Sequence, residues 1–324
     1  MSSNNQVVLE HLYQRILRAY EEIRSAVHET PCEDASAIVP GLRTRLLFKR
    51  EDLQHTGSFK LRGATSKLLS LAPYERVAGV IAASNGNHGL GVAYAARNLG
   101  IKAEVYVSKH VSPSKAKKIE DLGAQIRYSG DDPLAAELAG RKAAVESGKV
   151  FVSPYNDADV IAGQGTVAVE LLGQAKPDAV LVAVGGGGLI GGIGAYLKSA
   201  SPETEVVGCW PYNSPVVYEC MKAGRVIDVL EQPTLSESTA GGLEPGSITV
   251  DICKRVIDRS IFVSEDEILA AIRLVQKKKG WLMEGAAAVA LAAFLQERER
   301  YAGKTVAVVI CGGNLSAEVL RQVL

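Results

Sequence analysis

Hydrophobic positions along this chain follow two rhythms. Near the start, Val8, Leu12, Ile16, Ala19, Ile23 and Val27 recur at the spacing of one helix face. From residue 77 short β-branched runs alternate with helical ones: VAGVIAA, NHGLGVAYAARNLG, AEVYV, SPSKAKKIEDLG and AQIRYS. The alternation resumes with VFVS at 150, AVLVAVG at 179, EVVGCW at 205, IFV at 261 and TVAVVIC at 305, each followed by helical sequence. This order predicts an α/β protein with βαβ units and two mainly parallel sheets flanked by helices. Ser264, with Glu267 three residues on, predicts a capping box opening a helix that ends near Lys279.

One uncharged stretch, Ala179–Leu197, is nearly long enough to span a bilayer. Gly185 to Gly188 in a row decide against that, because they would break a spanning helix and expose backbone groups to hydrocarbon. The stretch reads as strand, loop, helix. No continuous apolar core marks the amino-terminal segment as a signal peptide. The 36 Lys and Arg residues balance 36 Asp and Glu, so no charge excess draws the surface to nucleic acid or membrane, and a small-molecule partner is expected. Cysteines at 32, 209, 220, 253 and 311 form no CxxC pair, which fits free thiols in a reducing, cytoplasmic setting.

Chemistry concentrates in four segments. Phe59 and Lys60 lie in HTGSFKLRGA, where Gly57 and Gly63 flank a lysine placed between a strand-like run and a helix start. A loop lysine is ordinarily a solvated charge; here the tight, backbone-exposing setting suits one that holds a cofactor. SNGNHGLG, from Ser84 to Gly91, sits where a strand ends and a helix begins, and so reads either as a capped turn or as an anion site for a substrate carboxylate. GGGGLIGG follows AVLVAV, and its four leading glycines let several backbone N–H groups converge on a phosphate. Packing alone explains them poorly. TVAVVICGGN closes a buried-looking strand on Cys311 and two glycines; the thiol is either inert core or the neighbour of a ring system.

The glycine run also contains GxGxxG at Gly186, Gly188 and Gly191, which admits a dinucleotide-binding fold. That fingerprint wants an acid about 20 residues on at the end of the next strand. Cys209 and Trp210 stand there instead, and Lys60 would be left without a purpose.

Together the four segments resemble the fold-type II pyridoxal 5′-phosphate (PLP) enzymes, specifically the threonine and serine dehydratase and serine racemase group. The likeness runs from HETP at 28 to CGGN at 311. It implies two domains, a large cofactor-binding one from 1–50 with 148–324 and a small one over 51–147, and a homodimer. By this resemblance Lys60 would hold PLP as a Schiff base, Phe59 would lie against the pyridine ring, and Asn87 would hydrogen-bond the ring's 3′-oxygen. Gly185, Gly186, Gly187 and Gly188 would bind the phosphate. Ser84, Asn85 and His88 would meet the substrate carboxylate through side-chain or backbone donors, and Cys311 would stand beside the pyridine nitrogen. Glu284, in WLMEGAAAVALAAF, aligns with an acid kept near the cofactor, though a helix-start Glu is also an ordinary dipole partner. A neutral thiol at 311 cannot keep the pyridine protonated as a carboxylate would, which favours elimination over transamination. Lys60 would then take the α-proton, and the product would be a 2-oxo acid with ammonia.

Departures from the group refine the expectation. Racemases carry a serine where this chain has Asn85, and an amide exchanges protons poorly near neutral pH, so racemisation should be weak. Trp210 and Val216 replace the acids of the racemase cation site, so no divalent metal is expected there. With no room after CGGN for a regulatory domain, feedback by isoleucine is not expected. STAGGLEPGS, from Ser238 to Ser247, looks closer to hydroxyectoine-utilisation dehydratases. The readings are therefore a dehydratase of a β-hydroxy amino acid, one acting in hydroxyectoine catabolism, an amino-acid racemase, or a non-catalytic PLP-binding protein.

Overall fold

The computed structural model describes residues 3–323, and the strands within them sort into two sheets. In chain order these are β1 (Cys32–Asp34), β2 (Arg45–Arg50), β3 (Val80–Ala83), β4 (Ala103–Val107), β5 (Gln125–Tyr128), β6 (Val150–Phe151), β7 (Ala179–Ala183), β8 (Glu205–Pro211), β9 (Arg259–Val263) and β10 (Thr305–Ile310). The larger sheet runs β1-β2-β10-β7-β8-β9 and is parallel except for the β1 edge. The smaller runs β5-β4-β3-β6 and is parallel throughout. Helices cover both faces of the larger sheet's centre, so β7 and β10 are continuous apolar runs, with every residue of β7 buried. The two parallel sheets are those expected from the alternating runs.

Boundaries differ in three places, each for a physical reason. In the helix Ser3–Ile23, Leu9, Leu12, Ile16, Ala19 and Ile23 are buried, whereas Val8 is 42% exposed on the flank. Val27 is buried too, but in the turn beyond the helix. The run starting at Val77 does not open a strand: Pro73–Ala78 is a short helix, started by a proline and by Glu75 accepting from the Ala72 amide at 2.7 Å. The strand β6 pairs with β3, so the smaller sheet continues past residue 147. The Ser264–Glu267 capping box is present, with Ser264 N donating to Glu267 Oε2 at 2.8 Å and Glu267 N to Ser264 Oγ at 3.3 Å. No helix among the described residues is long and apolar enough to cross a membrane.

Behind the helix Lys60–Ser70 lies a buried network of four charges. Arg62, fully buried, donates from Nε to Glu51 Oε2 at 2.7 Å and from Nη1 to Glu170 Oε1 at 2.6 Å. Lys49 Nζ on β2 reaches Glu170 Oε2 at 2.6 Å and the Thr30 carbonyl at 2.6 Å. Burial pushes the Glu51 carboxyl up, but the Arg62 guanidinium outweighs it and holds Glu51 below the ordinary carboxylate range. Two cations and two anions leave no net buried charge. Removing one partner strands the others, which costs about 3–5 kcal/mol in such sites. Arg62→Leu should lose that much in urea unfolding at neutral pH, while wild type should lose the Glu51 contribution only as pH falls below the ordinary glutamate value.

Candidate active site

Three adjacent strands of the larger sheet, β2, β10 and β7, bring their carboxyl ends to one slot, where a parallel sheet places its ligands. Beyond β2, a short loop leads to Lys60, the first residue of its helix. Cys311 follows β10 directly, and the glycines follow β7. The Phe59 amide donates to the Cys311 carbonyl at 3.1 Å, which stitches the first segment to the second. Phe59, Lys60, Asn87, Gly185 to Gly188, Glu284 and Cys311 all line this slot. Ser84, Asn85 and His88 line an adjoining cavity of about 410 Å³ that shares Lys60 and Asn87 with it.

At the slot's floor, Lys60 Nζ donates to the Pro154 carbonyl at 2.9 Å and lies 5.1 Å from the Phe59 ring centre. Burial lowers its ammonium to about 8, against the opposing pull of Cys311 and Glu284. A lysine so placed is a neutral nucleophile and base within reach of physiological pH. The Cys311 thiol is pushed well above its ordinary value, first by burial and then by Glu284, so it stays neutral. Its Sγ stands 3.9 Å from Glu284 Oε1. Glu284 is lifted by burial to about 7, although Asn87 Nδ2 donates to its Oε2 at 2.8 Å. It precedes the helix Gly285–Gln296 but makes no side-chain cap, so its carboxyl is turned to the slot and not to the helix end.

The glycine loop is built to hold an anion. Gly187 takes a φ of +84° and hands the chain to the helix Gly188–Ala200. A Cβ on Gly186 would fall 2.4 Å from Tyr155 Cγ, so no side chain fits there. The amides of Gly185 through Ile190 have no hydrogen-bond partner among the described residues, and they lie at the positive end of a helix. That cradle, next to a lysine and a neutral thiol, suits a phosphate attached to an aromatic aldehyde.

Comparison with known proteins agrees. A family model described as "Pyridoxal-phosphate dependent enzyme" matches residues 23–312. The chain belongs to that family. Its cofactor is pyridoxal 5′-phosphate, which the lysine, thiol and unpaired amides fit. L-threonine ammonia-lyase of Thermotoga maritima is 38% identical over 95% of this chain and 77% of its own length. The processed form of threonine deaminase isoform 2 from Solanum lycopersicum superposes with a TM-score of 0.92 at 30% identity, covering 97% of this chain and 92% of its own. Maize serine racemase superposes with a TM-score of 0.89 at 28% identity, covering 96% and 95%.

On the substrate side two side chains of the loop turn into the fold, leaving its backbone donors toward the cavity. Asn85 is turned to Ser108, donating to its hydroxyl at 2.8 Å and accepting from its amide at 2.9 Å. His88 points its Nε2 at the Val152 carbonyl, 2.8 Å away, and burial lowers it to about 3, so its ring is a neutral donor into the fold. What remains for a carboxylate is the first turn of the helix Asn87–Leu99, whose amides from Asn87 to Gly89 are unpaired among the described residues, beside the Ser84 hydroxyl. Tyr155, Ser238 and Thr239 line slot and cavity alike; sequence reading gave them no role, since nothing local marks them. Trp210 is fully buried on β8 and Val216 is buried at the start of the helix Val216–Ala223.

The amine at position 60 sets a pH dependence. Its neutral fraction grows as pH rises through about 8. Capture of the cofactor by apoprotein, followed by visible absorbance, should therefore climb with a midpoint near 8. A climb delayed to the pH of an ordinary lysine would contradict the burial.

Proposed function

We propose that the chain is an ammonia-lyase that removes the β-hydroxyl and amino groups of a β-hydroxy amino acid such as threonine or serine, giving a 2-oxo acid and ammonia. The observation that carries this reading is a buried lysine amine facing the same slot as a neutral thiol, with free amides for two anions around them. When bound, pyridoxal phosphate supplies an electron sink for the substrate's α-carbon. Lys60 would take the α-proton, because its lowered basicity leaves its amine free near neutral pH, and that proton, relayed by a bound water, would go to the departing β-hydroxyl, which leaves as water. Cys311, neutral at this depth, would supply no charge to keep a bound pyridine ring protonated, which would favour loss of the β-hydroxyl over transamination. The amides of Gly185 to Gly188 would hold the phosphate, Phe59 would pack on the ring, and Asn87 would donate to the ring oxygen. Ser84 and the amides of Asn87 to Gly89 orient the carboxylate. Water lost in the elimination returns when the product imine hydrolyses to the oxo acid.

The ammonia-lyase and deaminase among the similar proteins support this reading over the racemase, and so does Asn85, whose amide is committed to Ser108 and offers no exchangeable proton. In the same reading residues 51–147 form a small unit that carries the substrate loop and 1–50 with 148–324 the large one, with β6 crossing from the large stretch to complete the smaller sheet. Cytoplasmic location and homodimeric assembly belong to the proposal as well; the five free cysteines suit a reducing compartment.

Threonine, serine, 3-hydroxyaspartate, phenylserine and hydroxyectoine breakdown products should be screened with purified holoenzyme. At least one should yield oxo acid and ammonia in equal amounts, and Lys60→Ala should slow that turnover by about a thousandfold or more. Chiral chromatography should find the D-enantiomer forming far more slowly than oxo acid. Absence of oxo acid from every compound, or racemisation keeping pace with it, would overturn the assignment.

A further inference from the structure

Asn314 has a place in the geometry that neither motif nor mechanism accounts for. Its Nδ2 donates to the Thr56 carbonyl at 2.9 Å and to Asn87 Oδ1 at 2.8 Å. A backbone carbonyl only accepts, so the nitrogen of Asn314 must face Thr56. The same nitrogen then obliges Asn87 to present its oxygen to Asn314. That turns Asn87 Nδ2 to Glu284 Oε2, 2.8 Å away, and Glu284 Oε1 faces Cys311 Sγ. Both ends of the chain of bonds therefore agree on one orientation of the Asn87 amide. One of its two N–H groups is used by Glu284, and the other has no partner among the described residues on a side chain that lines the slot.

We propose that Asn314 is a positioning residue for the cofactor: by occupying Asn87 Oδ1 it locks the Asn87 amide with an N–H toward the slot. The inference rests on the assignment of Asn87 to the cofactor. Asn314 does not line the slot; its backbone amide meets Glu284, and its side chain reaches the slot through Asn87 alone. The bond also joins the two sheets' units, since Asn87 opens the helix after β3 and Asn314 follows β10, 227 residues away. Local packing is built around it. A Cβ on Gly57 would press on the Asn314 amide at 3.0 Å, and one on Gly312 would strike the Glu284 carboxyl at 2.7 Å. Burial lifts Glu284 to about 7, so the bond from Asn87 also helps set how that acid shares protons with its surroundings.

Asn314→Asp is nearly isosteric but puts a carboxylate against two acceptors, which drives the Asn87 amide to turn over or leave. Holoenzyme equilibrated against graded pyridoxal phosphate should bind it about tenfold more weakly, and the pH midpoint of its visible absorbance should move. In an Asn87→Ala background the same substitution should change neither quantity. Asn314→Ala, which removes the donor without adding charge, takes its place in the same cycle if the Asp variant does not fold. Equal losses in both backgrounds would overturn the proposal, because Asn314 would then act through the fold at large, and so would unchanged affinity and absorbance in Asn314→Asp. If Asn87→Ala by itself leaves affinity and absorbance untouched, the assignment of Asn87 falls, and this inference with it.

Discussion

Everything at the site hangs on how one guanidinium is held. Arg62 sits two residues after Lys60 on the same helix, locked between Glu51 and Glu170 with no exposure to solvent. The helix's other side carries Leu61, Ala64 and Leu68 into the smaller apolar core. The segment is thus fixed to β2 and the helix Ala158–Gln174 by charge and to the smaller sheet's helices by packing. A lone buried charge would cost more than it returned, whereas a neutral set of four leaves little freedom of arrangement. That rigidity is what lets the lysine amine stay desolvated at the floor of a slot.

Around that fixed point the two sheets divide the recognition of two anions. The helix after β7 presents free amides where a phosphate would fit, and the helix after β3 presents them where a carboxylate would. Each solution follows from the same βαβ geometry, in which a helix starts at the carboxyl end of a parallel strand. The reacting groups come from the seam between them. Cys311, neutral and buried, sits where, in the proposed reaction, it would tip the chemistry toward elimination without contributing a proton of its own.

Much of this was legible in the sequence because its causes are local. Four consecutive glycines after an apolar strand, and SFK before a helix, carry their meaning in a few residues. Alternating runs likewise predicted both sheets. What escaped depends on packing between distant segments: Tyr155 closing over Gly186, Asn314 meeting Asn87, and Arg62 finding Glu51 and Glu170. Arg62 stands in plain view in SFKLRGA, yet nothing there says it is buried. For Asn85 and His88 the motif left open whether side chain or backbone faces the cavity, and only the packing shows Ser108 and the Val152 carbonyl drawing both side chains inward. Val8 and the run at Val77 show how a single-residue phase error or a proline shifts an element without altering the fold.

The unpaired amides from Gly185 to Ile190 bear on the life of the chain before it is loaded. Segments near residues 59, 87, 185, 284 and 311 converge on one slot, which a molecule that the chain does not encode would fill. That molecule is a fastener between two layers as much as a reagent. A ligand bound only by the native state at a hundredfold over its dissociation constant adds about 2.7 kcal/mol to stability. Newly made copies that have not met it open more often, and open copies are what proteases cut. The amount of enzyme in a cell therefore follows the supply of its cofactor, and a shortage lowers the number of catalysts along with the fraction that is active.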